Sequence, residues 1–153
     1  MTPPLGGHPF HVGILVASID EALPRYRALF GHADWIVVEN GPWNLHGLHV
    51  RGEPAAFSMR LALHGRAPGL ELLQPLTGPD PLGEWLARRG EGLHHLGYEV
   101  DSLDAAIEAM AGAGYPCLQH GYGFGADGSG GFAFFDTEAE LGYVVEAVEP
   151  AAV

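Results

Sequence analysis

Two histidines and two glutamates recur in this chain at matching places, and their spacing is the first feature with chemical content. Residues 11–22 read HVGILVASIDEA and residues 95–106 read HLGYEVDSLDAA. At a constant offset of 84, His11 meets His95, Gly13 meets Gly97, Val16 meets Val100, Ser18 meets Ser102 and Asp20 meets Asp104. A second echo closes each half, ELLQP from Glu71 to Pro75 against EAVEP from Glu146 to Pro150, at an offset of 75. Two echoes in the same order mark an internal duplication. Each Glu stands in an otherwise apolar run, where an unpaired charge is expensive to bury. Two imidazoles and two carboxylates, His11, Glu71, His95 and Glu146, satisfy one another when they share a divalent cation. That donor set suits Zn, Ni, Co, Mn or Fe(II), with water or substrate completing the shell.

The elements that must carry these residues follow from local pattern. From Phe10 to Val16 the chain alternates, with Val12, Ile14 and Val16 on one face of a strand and His11, Gly13 and Leu15 on the other. Ser18 followed by Glu21 is a helix-start signature, and Ala22, Tyr26, Leu29 and Phe30 form the apolar stripe of a helix ending at Gly31. Pro24 falls inside that stripe, which predicts a kink or a late start. The second half repeats the plan, with Ser102 opening a helix that Gly112 and Gly114 close. Strand character then appears at 34–38, 46–51, 57–64 and 69–74, and again at 116–119, 131–136 and 142–148. Asp80, Pro81 and Gly90 frame a short helix between the halves. The expected fold is α+β: two βαβββ modules in tandem (8–75 and 92–150, joined by 76–91), forming a cup-shaped mixed sheet with helices outside. Glu71 shares a strand face with Leu73, and Glu146 with Val144 and Val148, so all four chemical side chains are expected to face the cup.

Composition narrows the function. The chain has 153 residues, 47% of them hydrophobic, enough for one packed unit. Seven arginines, no lysine and 19 acidic residues give a net charge of −12, which argues against nucleic acid as a partner. The longest apolar runs are strand-sized, so no membrane span is expected. The opening MTPPLGGHPF lacks the features of a secretory signal, making a cytoplasmic location the default. Cys117, the single cysteine, is read as a small packed side chain. The glycine-rich stretch 121–131 contains Gly123-x-Gly125-x-x-Gly128 but lacks the strand-to-helix setting of a nucleotide loop, so it is read as a mobile flap. Trp35, Trp43, Phe57, Met59, Tyr122 and Phe124 are candidates to wall the cup, and Glu99 shares a face with His95.

With these motifs in place, the sequence resembles the vicinal oxygen chelate superfamily over nearly its whole length, most closely its methylmalonyl-CoA epimerase-like and glyoxalase-like members. The specific pieces are FHVGILVASIDEAL, LELLQPL, GEGLHHLGYEVDSLDAAI and FAFFDTEAELGYVVEAVE. The resemblance implies a divalent metal on His11, Glu71, His95 and Glu146. The repeat makes His95, not His94, the ligand, with His94 a supporting neighbour. It also implies a metal-dependent isomerase, epimerase or lyase acting on a small carbonyl compound through a stabilised enolate. Glu146 is the first choice as base and Glu71 the second, and a homodimer is expected.

The chain departs from the epimerase pattern at Asp80-Pro81-Leu82, where those members carry Ser-Pro-Ile, and at 135–138, where they carry His-Pro-Lys. Together with the absence of lysine, this argues against a coenzyme A thioester as substrate. The alternatives are a small-molecule sequestering protein, which the complete quartet disfavours, and an Fe(II) extradiol dioxygenase, for which a fourth protein ligand leaves less room.

Overall fold

The computed structural model describes residues 2–31, 34–64 and 69–152. Ten strands form one curled mixed sheet in the order β2-β5-β6-β1-β7-β10-β9-β8-β3-β4, a half-barrel with four helices. In chain order these are β1 (Pro9–Leu15), α1 (Ile19–Phe30), β2 (Trp35–Asn40), β3 (His46–Val50), β4 (Glu53–Pro54), β5 (Ser58–His64), β6 (Gly69–Thr77) and α2 (Pro81–Arg89). There follow β7 (Gly92–Glu99), α3 (Leu103–Gly112), β8 (Cys117–Phe124), β9 (Gly130–Phe135), α4 (Glu138–Leu141) and β10 (Val144–Glu149). The α+β architecture expected from the sequence is the one observed. No helix among the described residues is long and apolar enough to cross a membrane.

The sheet has a pseudo-twofold centre between β1 and β7, which run antiparallel. The four strands β2-β5-β6-β1 on one side mirror β8-β9-β10-β7 on the other. In each half a helix covers the convex face: α1 over Ile14, Val16, Ala62 and Leu72, and α3 over Ala133, Phe135, Val145 and Ala147. Alternation therefore sends Leu15, Leu73 and Val144 to the concave side, as read from the sequence.

The duplication also appears in how the helices begin. Ser18 caps α1 by accepting from Glu21 N–H, and Ser102 caps α3 by accepting from Ala105 N–H. The next free donor in each is taken by the strand that carries the Glu. Gln74 Oε1 accepts from Ile19 N–H at 2.9 Å, and Glu149 Oε2 accepts from Leu103 N–H at 2.8 Å. Gln74 and Glu149 lie three residues beyond Glu71 and Glu146, an odd step that turns them to the opposite face. One short motif thus aims a carboxylate into the cup and ties a helix to its back.

Several expectations are corrected. The helix α1 runs unbroken through Pro24 from its first residue. Pro24 and Asp20 are both exposed, so water can meet the Asp20 carbonyl that the proline leaves without its helix partner, while Ala22 and Leu23 stay packed on the sheet. The first half contains an extra hairpin, β3–β4, whose β3 pairs not with its own half but with β8 at the far edge. The chain therefore crosses from β2 to the opposite rim. The glycine-rich stretch is mostly strand: β8 extends to Phe124, leaving only 125–129 as a turn. A Cβ on Gly121 would lie 2.6 Å from Leu48, and one on Gly123 3.0 Å from His46, so these glycines record the close approach of β3. The turn itself is tied down, since Ser129 donates to Asp127 and accepts from Ala152 N–H.

One apolar cluster and a pair of hydrogen bonds to Asp80 hold α2 in the fold. Leu82 and Trp85 of α2 pack with Leu15, Leu45, Leu48, Phe57 and Val144 and fill one end of the half-barrel. Asp80 caps α2 by accepting from Leu82 N–H and also accepts from Gln119 Nε2 of β8, which fixes the plug to the second half.

Candidate metal centre

The structure brings His11, Glu71, His95 and Glu146 together at the pseudo-twofold centre, each from a central strand: β1, β6, β7 and β10. One donor atom from each lies within 4.8 Å of every other. All four are buried, with 7%, 7%, 2% and 4% of their surface exposed. Glu146 Oε2 stands 2.8 Å from His11 Nε2 and 3.1 Å from His95 Nε2. Glu71 is looser, 3.8 Å from His11 Nε2 and 3.6 Å from His95 Nε2. The two Nε2 atoms are 2.9 Å apart.

These contacts suit an ion better than they suit one another. Glu146 Oε2 is fully enclosed yet has no properly directed hydrogen bond despite its two close nitrogens. The two imidazole nitrogens also point at each other, an arrangement that wastes acceptor capacity. Donors each about 2.1 Å from one ion stand roughly 3 to 3.5 Å apart, and the distances from the imidazole nitrogens here, 2.8 to 3.8 Å, bracket that range. Two carboxylates and two neutral imidazoles also balance a divalent charge.

Electrostatics show how strongly the four groups act on one another. For His11, burial would drive the imidazole down, but Glu146 and then Glu71 raise it to about 9. Glu71 is held above the ordinary carboxylate range by burial and by Glu146, with the two histidines offsetting only part of that. For Glu146, burial works upward and is outweighed by His95 and His11, which hold the carboxyl low.

The local backbone explains the repeated His-x-Gly. Across the central pair, His11 is opposite Gly97 and Gly13 is opposite His95. A Cβ on Gly97 would fall 2.0 Å from His11 Cε1, and one on Gly13 only 1.8 Å from His95 Cε1. Each glycine is therefore the seat of the other half's imidazole. A bulge accompanies each histidine. Pro9 pairs with Tyr98 and His11 with Gly97, which leaves Phe10 extra. Gly13 pairs with His95 and Ile14 with Leu93, which leaves His94 extra. Such bulges re-aim side chains, so neighbouring residues here face the same side. Phe10 sits edge-on to His11 at 4.6 Å, and His94 sits edge-on to His95 at 5.1 Å.

The two bulged residues differ in chemistry. His94 Nδ1 is 2.9 Å from His95 Nδ1. Burial, then the His95 ring, holds His94 well below the ordinary histidine range, so it stays neutral. Were His95 Nε2 to hold an ion, its proton would reside on Nδ1 and be donated to His94 Nδ1, which would fix tautomer and ring orientation. His94 also packs against Trp85 of α2 at 4.8 Å.

A cavity of about 610 Å³ opens above the quartet on the Phe10 side and is lined by His11, Glu71 and Glu146. Of the proposed wall residues, Met59 and Phe124 line it, joined by Phe10, Phe132 and Phe134, which pattern alone did not single out. Trp35 lies on the convex side with Tyr26, Phe57 is sealed in the core, Trp43 is exposed, and Tyr122 donates to Asp104 outside the cup. Glu99 is exposed at its strand end and is not in the quartet. His46, His49 and His120 form ring stacks with one another's strands, on β3 and β8, apart from the quartet.

Comparisons with known proteins identify the fold. Residues 10–134 match the model of the glyoxalase/bleomycin resistance protein/dioxygenase superfamily. The uncharacterized protein YqjC of Bacillus subtilis (strain 168) is 27% identical over 140 residues, spanning 92% of this chain and 90% of YqjC. Methylmalonyl-CoA epimerase from Mycobacterium tuberculosis superposes with a TM-score of 0.63 at 27% identity, covering 99% of this chain and 93% of the epimerase. A variant of the Streptomyces coelicolor epimerase, in complex with 2-nitronate-propionyl-CoA, gives 0.60 at 25% identity, covering 94% and 97% of the two chains.

Proposed function

The chain belongs to the glyoxalase/bleomycin resistance protein/dioxygenase superfamily, and from that premise we propose that it is a divalent-metal-dependent isomerase or epimerase acting on a small carbonyl compound. One observation carries the reading: a buried quartet of two histidines and two glutamates whose carboxylates open onto a single cavity. The likeness to two methylmalonyl-CoA epimerases supports the reaction class. We read 8–75 and 92–150 as the duplicated modules and 76–91 as their link.

His11, Glu71, His95 and Glu146 would hold the ion. A divalent ion bound there supplies Lewis-acid stabilisation of negative charge on a carbonyl oxygen. The chain's own part is proton transfer. A carboxylate Oε takes the proton from the carbon next to the carbonyl, and the C–H electron pair shifts toward the carbonyl oxygen. Return of a proton to the same carbon from the other side gives an epimer, and return to a neighbouring atom gives an isomer. Both Glu71 and Glu146 reach the cavity, so two proton-carrying groups are at hand. Glu71 is our first choice as base, reversing the order that the resemblance implies. It stands farther from the imidazoles, at 3.8 and 3.6 Å against 2.8 and 3.1 Å for Glu146, and is the looser of the two carboxylates. The surrounding apolar wall limits water and strengthens these electrostatic effects.

The test is solvent exchange. Metal-loaded protein in D₂O is incubated with methylmalonyl-CoA and with a panel of simple 2-oxo compounds, and the α-carbon is followed by NMR. Deuterium incorporation that is lost in both Glu71→Gln and Glu146→Gln is expected. Undiminished exchange in both variants, or no exchange with any member of the panel, overturns the reading.

A further inference from the structure

The cavity above the quartet selects by polarity as well as by size. Its 610 Å³ suits a compact organic molecule. Facing Glu71 and Glu146 are Val38, Leu61 and Leu63 from the first half and Phe124, Phe132 and Val148 from the second. Apart from the quartet, its polar lining among the described residues is His64 and two uncharged amides, Asn40 and Asn44. Asn44 serves the chain crossing, accepting from Gly41 N–H and donating to Glu39 O and to Asn40 Oδ1.

Among the described residues, no arginine lines the cavity. Arg51 pairs with Glu84, Arg60 with Asp20, and Arg88 and Arg89 with Glu138, while Arg25 and Arg27 lie exposed on α1. Arg66 is outside the described residues. With no lysine and a net charge of −12, nothing described at this mouth offsets the charge of phosphate groups. A polyanionic ligand would meet repulsion from the protein as a whole and hydrocarbon at the wall.

Resting on the reading of the quartet as a metal site, we infer that the substrate is an uncharged, largely apolar carbonyl compound rather than a coenzyme A thioester. Its oxygen-bearing end lies at Glu71 and Glu146, and its hydrocarbon or aromatic body lies against Leu61, Phe124 and Phe132. The specificity of this chain then departs from that of the epimerase whose complex contains a CoA compound. The apolar body provides affinity through burial, and the chelating end provides orientation.

Two binding measurements test this and separate it from the metal reading. In the first, metal-free protein is titrated with the neutral apolar fluorophore N-phenyl-1-naphthylamine. Brightening is expected in the parent and is expected to be lost in Val38→Lys and in Leu63→Lys, two positions exposed enough (37% and 39%) to accept lysine without entering the core. In the second, cobalt-loaded protein is titrated with acetohydroxamate, benzohydroxamate and propionyl-CoA, followed by the cobalt absorption bands. Benzohydroxamate is expected to bind about thirtyfold tighter than acetohydroxamate, the effect of burying one phenyl ring, and tighter than propionyl-CoA. Propionyl-CoA binding as tightly as benzohydroxamate, or no fluorophore binding, overturns the inference. Failure to take up cobalt together with fluorophore binding that Val38→Lys removes overturns the metal reading and upholds the apolar preference.

Discussion

The imidazole of His11 rests on Gly97, and the imidazole of His95 rests on Gly13, so each half of the chain provides the seat for the other half's ring. The His-x-Gly repeat is therefore one device written twice. Within a half, the Gly two residues after the His does not serve that His. It serves the counterpart across the central strand pair.

Gly97→Ala is expected to displace His11, because a methyl 2.0 Å from Cε1 cannot be accommodated without moving the ring. Metal stoichiometry should fall well below one per chain, and overpacking should cost about 1–3 kcal/mol in denaturant unfolding. Gly112→Ala is the control. Its added methyl meets no atom within 4 Å in α3, so metal uptake should be unchanged and stability should rise by about 0.5–1 kcal/mol.

His94→Phe isolates the support that His94 gives His95. A phenyl ring keeps the packing against Trp85 and Phe134 but removes the nitrogen 2.9 Å from His95 Nδ1. Metal affinity, measured by competition with a chromophoric chelator, should fall by about 10- to 100-fold. A melting temperature close to the parent's, with weakened metal binding, identifies a positioning role; unchanged affinity refutes it.

Gln74→Ala and Glu149→Ala should each cost about 1 kcal/mol in chemical denaturation, since each removes the acceptor for the first N–H of a helix. Hydrogen exchange should locate the loss in α1 for the first and in α3 for the second. Equal protection of both helices in both variants would contradict the assignment.

Asp80 makes stability depend on pH. Burial, opposed by the Leu82 N–H and the Gln119 amide, raises its carboxyl from 3.8 to about 6. The folded state therefore keeps a proton that the unfolded chain releases between those values. Its contribution is fully present below pH 3.8 and is lost as pH rises through 6. Asp80→Asn keeps an acceptor for Leu82 N–H and the Gln119 amide and carries no ionisable group. It should remove that slope and stabilise the protein at pH 7 by about 2–3 kcal/mol. Urea unfolding of parent and variant at pH 4 and pH 7 checks it, and parallel pH profiles would count against it.

The duplication made much of this molecule legible in its sequence. His11, Glu71, His95 and Glu146 were paired by offset before any fold was considered, and strand alternation placed Leu15, Leu73 and Val144 on the side where they are found. What escaped reading is non-local. Nothing in 46–50 announces that β3 pairs with β8, because a strand's pattern states which face is buried and not which neighbour it joins. The bulges at Phe10 and His94 break the alternation on which the reading depends. The extent of β8 was hidden because glycines required by the passage of β3 look like loop glycines in isolation. Gln74 and Glu149 were visible as part of the echo, but their caps could be recognised only once α1 and α3 stood beside β6 and β10.

The plug formed by α2 also bears on how a duplicated protein acquires direction. Two equal halves would create two equal entrances, and neither copy could change without weakening both uses. Leu82 and Trp85 close the entrance on the His94 side, while the Phe10 side opens into the cavity. The two copies have thereby divided their labour. The position held by His94 answers to packing, and its counterpart Phe10 faces the cavity and answers to whatever enters it. One duplicated position can drift with the substrate while its twin holds the structure still.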